Sequence, residues 1–252
     1  GLHFGVTASV ADDKTEVTKW TYNTKIPSYG ATGWWDKSAY KEGMVLGDIW
    51  GLQFDRFLTE DDFNADGSLK AGLPDQTKVF PAGYQFAPGD VLYKDLDNNG
   101  EIVKQTNTND KGDLSVIGNA LPRLQFGLNL DAAWKGFDIS MFFQGVAKRK
   151  LWAAGNQVLP GFTTGEPFYK GAEDYWTPEN TDAFYPRPMD YKQSASGNYS
   201  VNDRYLLNMA YLRLKTFTVG YSLPKVWLSK FKVQGLRVYF TGENLFTIDG
   251  VK

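Results

Sequence analysis

"RLQFGLNLDAAWKGFDISMFFQGV", Arg123 to Val146, decides the fold class. Even positions from Leu124 to Trp134 read Leu, Phe, Leu, Leu, Ala, Trp; the odd positions between them read Gln, Gly, Asn, Asp, Ala, with Arg123 ahead. Successive side chains of a strand point to opposite faces, so a period of two gives one apolar and one polar face. Lys135-Gly136 interrupts the pattern, and Phe137, Ile139, Met141 and Phe143 resume it. Two alternating runs separated by two residues, one a glycine, predict a tight antiparallel hairpin. Each arm is long for a soluble strand and matches the about 9–11 residues with which a tilted strand crosses a bilayer. Trp134 and Phe137 flank the turn as an interfacial aromatic girdle would. The edge of a large soluble β-sandwich would give the same alternation.

Further strands follow on both sides. "GLHFGVTASVA" alternates through Leu2, Phe4, Val6, Ala8 and Val10. "TEVTKWTY" (15–22) is a weaker run, and "GMVLGDIWGLQFDRF" (43–57) is strand-like. "YLRLKTFTVGYSLP" (211–224) alternates but slips its phase near Lys215, which predicts a bulge. "LRVYFTGENLF" (236–246) is the last strand, and "KVWLSKF" (225–231) predicts one or two helical turns. Residues 58–121 and 148–205 are far longer than the connections usual in compact domains. Short turns on one side and long loops on the other is the asymmetry of outer-membrane barrels. If Lys135-Gly136 faces the periplasm, both long loops lie outside.

Composition narrows the function. The chain has 252 residues, with 27 Lys plus Arg against 29 Asp plus Glu, so it carries no nucleic-acid footprint. Hydrophobic residues at 42% and aromatics at 15% describe an ordered chain. Cysteine is absent, which excludes disulfides and thiolate sites. No run of about 18 apolar residues predicts a membrane-spanning helix. No basic leader is seen, so a mature protein or an internal portion of one is expected.

Three constellations bear on chemistry. In "YKDLDNNGEI" (93–102), Asp95, Asp97, Asn99, Gly100 and Glu101 fill positions 1, 3, 5, 6 and 7 of a calcium loop. Position 12 is Thr106, which cannot bind bidentately, so a later acid, Asp110 or Asp113, would have to close the site. The plain alternative is a polar turn rich in Asx residues. Second, His3 is the only histidine, so triads are disfavoured. Paired carboxylates, as in glycosidases, could be assembled from Asp61, Asp62, Glu173 or Asp174, but these read better as solvated loop charges; no enzyme is expected. Third, the second long loop is rich in rings. Trp152, Phe162, Tyr169, Tyr175 and Trp176 are candidates to meet a sugar, a peptide or a partner protein, while most rings there should pack the loop on itself.

Taken in order, "GDVLYKDLDNNGEI", "IGNALPRLQFGLNLDAAWKGFDISMFFQGV", "YWTPENTDAFYPR", "YLRLKTFTVGYSLP" and "LRVYFTGENLFT" resemble the C-terminal barrel region of SusC/RagA-type TonB-dependent transporters of the Bacteroidota outer membrane. The resemblance runs from about Glu42 to Thr247 and is looser over residues 1–41. It implies an all-β chain forming part of a 22-stranded antiparallel transmembrane β-barrel with long extracellular loops. Residues 1–252 would be a portion lacking signal peptide, plug, early strands and closing strands. It also implies import of oligosaccharides or peptides, a SusD-type surface lipoprotein as partner, TonB acting through the plug, surrounding outer-membrane lipid, and pairing of two transporter–lipoprotein units. In that family Asp113 occupies the place of the loop's closing acid, five residues before the glycine of "IG", here with seven extra residues after Gly100. The resemblance therefore makes Asp95, Asp97, Asn99 and Asp113 the calcium candidates. The rival reading is a secreted β-rich glycan-binding or adhesin module, which would bury Leu124, Phe126, Leu128 and Phe143.

Overall fold

The computed structural model describes residues 1–21, 42–104, 111–162, 168–189 and 197–251. Its strands are β1 (His3–Ala11), β2 (Asp48–Gly51), β3 (Phe54–Phe57), β4 (Val91–Tyr93), β5 (Ser115–Asn119), β6 (Arg123–Trp134), β7 (Phe137–Lys148), β8 (Lys150–Leu151), β9 (Leu207–Asn208), β10 (Tyr211–Ser222) and β11 (Arg237–Asp249). Among the described residues, helix is confined to single turns, and none is long and apolar enough to cross a membrane. The chain divides into a sheet unit (Gly1–Lys14, Leu121–Lys150, Leu207–Lys252) and a loop unit (Thr15–Ala120, Leu151–Leu206).

The sheet unit is an antiparallel meander in the order β1-β6-β7-β10-β11. The hairpin lies where the alternation put it, with Arg123 opposite Lys148 and Trp134 opposite Phe137. Lys135 and Gly136 have φ of 48° and 90°. Two successive left-handed residues make the turn whose twist matches its strands. A side chain on Gly136 would also meet the Ser222 carbonyl. The register carries the hydrophobic rows across the sheet, one over four strands and one over all five. Val6 lies opposite Leu130, Leu130 opposite Met141, and Met141 opposite Phe217. A second row runs Phe4, Ala132, Ile139, Val219, Phe240. At the turn end Phe137 meets Tyr221, ring centroids 4.5 Å apart. The opposite face carries the row Asp131, Ser140, Thr218, Thr241, with Asn129, Phe142 and Thr216 in the next. There Thr218 and Thr241 share a 3.0 Å hydrogen bond, and Arg237 pairs with Asp138.

The apolar face has no second layer among the described residues. Phe4, Phe240 and Ile248 remain 71%, 63% and 62% exposed. Leu124, Phe126, Leu128 and Phe143 are half-buried by strand neighbours rather than buried in a core, contrary to the rival module. The phase slip at Lys215 is a register shift between Leu214 and Thr216 against both neighbouring strands. Leu124 departs from the expected alternation. It sits at φ 52°, with its N–H turned to the Asp12 carboxylate (3.1 Å). The helical turns expected at 225–231 are present as Lys225–Leu228 and Ser229–Phe231. The turns at 135–136 and 223–236 lie at one end of the sheet, and both long excursions leave and re-enter at the other.

Two stretches read as strands of the same style belong instead to the loop unit. Residues 43–57 supply β2 and β3, which pair only with β5 and β4. Within 15–22 only Glu16 forms a bridge, to Val45, and Tyr22 lies outside the described residues. Local alternation there is real but too short to enter a 12-residue ladder. The loop unit has cores of its own, which makes its excursions folded structure. One holds Leu52, Phe57, Val91, Tyr93, Ile102 and Trp176, and the other Ile49, Trp152, Leu159, Tyr199 and Tyr205.

Candidate functional site

The first site is the acidic turn after β4. It is built by short-range geometry. The Gly100 N–H donates to Asp95 Oδ2 (2.7 Å), the Asn99 N–H to Asp97 Oδ1 (3.1 Å) and the Glu101 N–H to Asn99 Oδ1 (2.7 Å). Asn98 at φ 59° and Gly100 at φ 85° supply the left-handed residues that such nested Asx turns need. Asp113, fully buried, returns from the far side of the insertion. Its two oxygens accept the N–H groups of Leu96 and Val103, each at 2.8 Å. Carboxylate oxygens of Asp95, Asp97 and Asp113 thus lie within 4.8 Å of one another. Asp110, the other candidate acid, and Thr106 lie outside the described residues.

Electrostatics in this turn are opposed. Burial, with the charges of Asp113 and Asp95, lifts the Asp97 carboxyl above its usual range against the Asn99 N–H. Burial acts the same way on Asp95, but the N–H groups of Gly100, Asn98 and Asn99 outweigh it and hold that carboxyl low. Three converging carboxylates form an oxygen set of the kind hard divalent cations take, while the Asn99 amide turns its Nδ2 to Asp97 Oδ2 (3.0 Å). Each carboxylate retains lone pairs after accepting its N–H.

The second site is a cavity of about 400 Å³ in the loop unit. Tyr169 opens the single helical turn Lys170–Ala172, and Tyr175 and Tyr185 are bridged side by side. The Trp176 N–H donates to the Tyr185 carbonyl at 3.0 Å, and the Tyr185 N–H to the Asp174 carbonyl at 2.9 Å. Those bonds fix the two tyrosines on one wall with Tyr169. Phe168 and Tyr199 complete the rings, and Pro160, Pro186 and Pro188 stiffen the rest. Burial lifts the Tyr185 hydroxyl above its usual range, with the Asp174 charge adding to it.

Of the five ring candidates, Tyr169 and Tyr175 line this cavity and stay 45% and 40% exposed. Phe162 packs half-buried on the second core. Trp152 and Trp176 correct the expectation. They are core residues, because a long ordered excursion needs large rings to bury. Gly89 makes room for Trp176, since a Cβ there would lie 2.5 Å from the indole. Two of the four glycosidase-like acids, Asp62 and Asp174, are engaged locally. Asp62 accepts two bonds from Arg56 (2.6 and 2.8 Å) and one from the Thr59 N–H (2.8 Å), which hold its carboxyl at about 2. Asp174 accepts the Phe184 N–H at 3.1 Å.

Sequence reasoning missed the polar centre of the loop unit. Buried Asp90 pairs with Arg187 (2.8 Å) and accepts from the Tyr84 hydroxyl (2.8 Å) and Asn198 Nδ2 (2.9 Å). Asn198 Oδ1 in turn accepts the Val91 N–H at 2.8 Å. Arg187 and Asn198 lie 97 and 108 positions from Asp90 in sequence, and no local spacing signals them. The resemblance had marked "GDVLY" and "YPR" as motifs without saying that they meet.

No family model matches the chain. It is 29% identical over 213 residues to TonB-dependent receptor P3 of Formosa agariphila, covering 82% of this chain and 18% of that protein. It is 34% identical over 153 residues to TonB-dependent receptor P26 of the same organism, covering 59% of this chain and 14% of that protein. Its fold matches the RagAB peptide transporter with a TM-score of 0.63 at 17% identity, over 98% of this chain and 23% of that one. The chain resembles TonB-dependent receptors of the SusC/RagA type. The same importer in its closed-closed state matches with a TM-score of 0.59 at 16% identity. The chain thus spans less than a fifth of the curated receptors it matches. A five-stranded meander with one apolar and one polar face has the pattern of outer-membrane β-barrel strands.

Proposed function

We propose that this chain is part of the wall and loop region of a 22-stranded transporter that imports oligosaccharides or peptides across the outer membrane. TonB would energise it through a plug, and a SusD-type surface lipoprotein would assist capture. The observation that carries the reading is the sheet unit. Five paired strands continue one apolar face that no protein layer covers among the described residues, backed by a polar face with its own hydrogen bonds. Lipid suits the first face and a watery lumen the second. The named kinship of the two curated relatives supports the energy source, and the relatives are receptors and transporters rather than enzymes. The test is gentle solubilisation of outer membranes from the native host, followed by mass spectrometry of what accompanies the receptor. A stoichiometric surface lipoprotein is expected, and cells lacking TonB should lose uptake of the cargo. Recovery in the soluble fraction, with no lipoprotein, would favour the secreted glycan-binding module instead.

A calcium ion held by Asp95, Asp97, Asn99 and Asp113 belongs to the same proposal. The convergence of the three carboxylates supports it. An ion there would offset the carboxylate repulsion that adds to burial in lifting Asp97, and would tie the residue 95–101 turn to Asp113. Elemental analysis of the receptor, purified without chelators, should find calcium that is lost on Asp113→Asn. Equal calcium in both proteins, or none in either, removes the ion from the account.

A further inference from the structure

At the turn end of the sheet unit the apolar rows give way to aromatics and then to lysines. The last paired row is Trp134, Phe137, Tyr221, Val238. Trp134 and Phe137 stay 52% and 56% exposed. Beyond this row lie two connections, the 135–136 turn and residues 223–236. The Ser222 N–H ties them together by donating to the Gly136 carbonyl at 2.8 Å. The longer connection reads "LPKVWLSKFKVQGL". Its helical turns bury Leu228, whose carbonyl accepts the Val233 N–H at 3.2 Å. Val226 and Trp227, just before it, are left 75% and 59% exposed. The two contribute little to the packing of their own unit, so water is a poor final environment for them.

Charge at these connections has one sign. Lys135 is in the turn, and Lys225, Lys230 and Lys232 are in the longer connection, which contains no acid. All four are exposed, and none forms an ion pair among the described residues. The neighbouring Asp138 is taken by Arg237. Lys135 Nζ lies 4.6 Å from the centre of the Trp134 ring, which sets one ammonium at the level of the aromatic row. Like charges gathered on one end repel, and a partner of opposite sign relieves that repulsion. An indole among lysines, at the end of a face suited to lipid, is the pattern of a membrane interface. Rings rest at headgroup depth while lysine stems run along apolar surface and carry their ammonium groups to the phosphates. A zwitterionic headgroup brings its own cation beside the phosphate, whereas an anionic one leaves its charge for the lysines.

Resting on the barrel reading above, we propose that this end of the sheet binds anionic phospholipid headgroups. Trp134 and Trp227 sit at headgroup depth, and Lys135, Lys225, Lys230 and Lys232 meet the phosphates. The test uses the whole receptor, purified from its native membrane and placed in bilayer discs of phosphatidylcholine with phosphatidylglycerol as a minor component. Native mass spectrometry then reads the lipids that stay on the receptor after gentle release. Phosphatidylglycerol is expected to be enriched over its share of the disc. Lys225→Gln and Lys230→Gln, combined with Lys135→Asn and Lys232→Asn, should lower that enrichment about fivefold or more. Asparagine is chosen where φ is 48° and 56°, a conformation it accepts. Arginine at all four positions should preserve the enrichment. Lys70→Gln with Lys94→Gln, two exposed lysines of the loop unit, should leave it unchanged. All these side chains are surface groups, so the variants keep the packing of both units. No enrichment, or the same enrichment without the four lysines, would overturn the headgroup site. An equal fall in the loop-unit control would reduce the effect to net charge and overturn it as well. The barrel reading fails separately, if Leu128 and Leu130 do not face lipid.

Discussion

At the residue scale, the loop unit is set by a few carboxylates whose neighbours differ. Asp62 has a guanidinium and a backbone N–H, so its carboxyl is held at about 2, against an ordinary value of 3.8. A depressed folded-state value contributes stability that is present above the unfolded value and lost as pH falls through the folded one. The window therefore lies between about pH 4 and pH 2. In acid titrations followed by tryptophan fluorescence, Asp62→Asn should flatten the loss of structure in that window. An unchanged acid profile would show that the Arg56 pair adds nothing to stability. Asp97 shows the opposite case, in which burial and neighbouring charges lift the carboxyl. Asp95, Asp97 and Asn99 were legible as a metal-loop start from spacing alone, because nested Asx turns are local. The part played by Asp113 was legible only through the family resemblance, since the insertion breaks the spacing. Asp90 and Arg187 were not legible at all, because the fold, not the sequence neighbourhood, brings them together.

At the element scale, strand length separated the correct expectations from the corrected ones. The hairpin, β10 with its slip at Lys215, and β11 repeat the period of two for a dozen residues, long enough to fix both face and register. The run at 43–57 shows the same local pattern, yet it breaks into two four-residue strands that pair inside the loop unit. Short alternation specifies a strand without saying which sheet it joins. Ring content misled in a related way. Trp152 and Trp176 have the composition of a binding surface, but burying an indole is among the largest apolar contributions a small core can gain. Tyr169 and Tyr175 kept their exposure because one caps a helical turn and the other sits in a bridge at the cavity wall.

At the scale of the molecule, the central claim is that the even-numbered face of β6 meets lipid and the odd-numbered face meets water. The claim joins the uncovered apolar rows, the polar ladder behind them and the kinship with TonB-dependent receptors. The measurement that tests it most directly is site-directed spin labelling along β6, with the receptor in its native outer membrane. Labels at 128 and 130 should relax with dissolved oxygen, and labels at 129 and 131 with a water-soluble nickel complex. Leu128 and Leu130 shielded from both reagents would place them in a protein core and contradict the account.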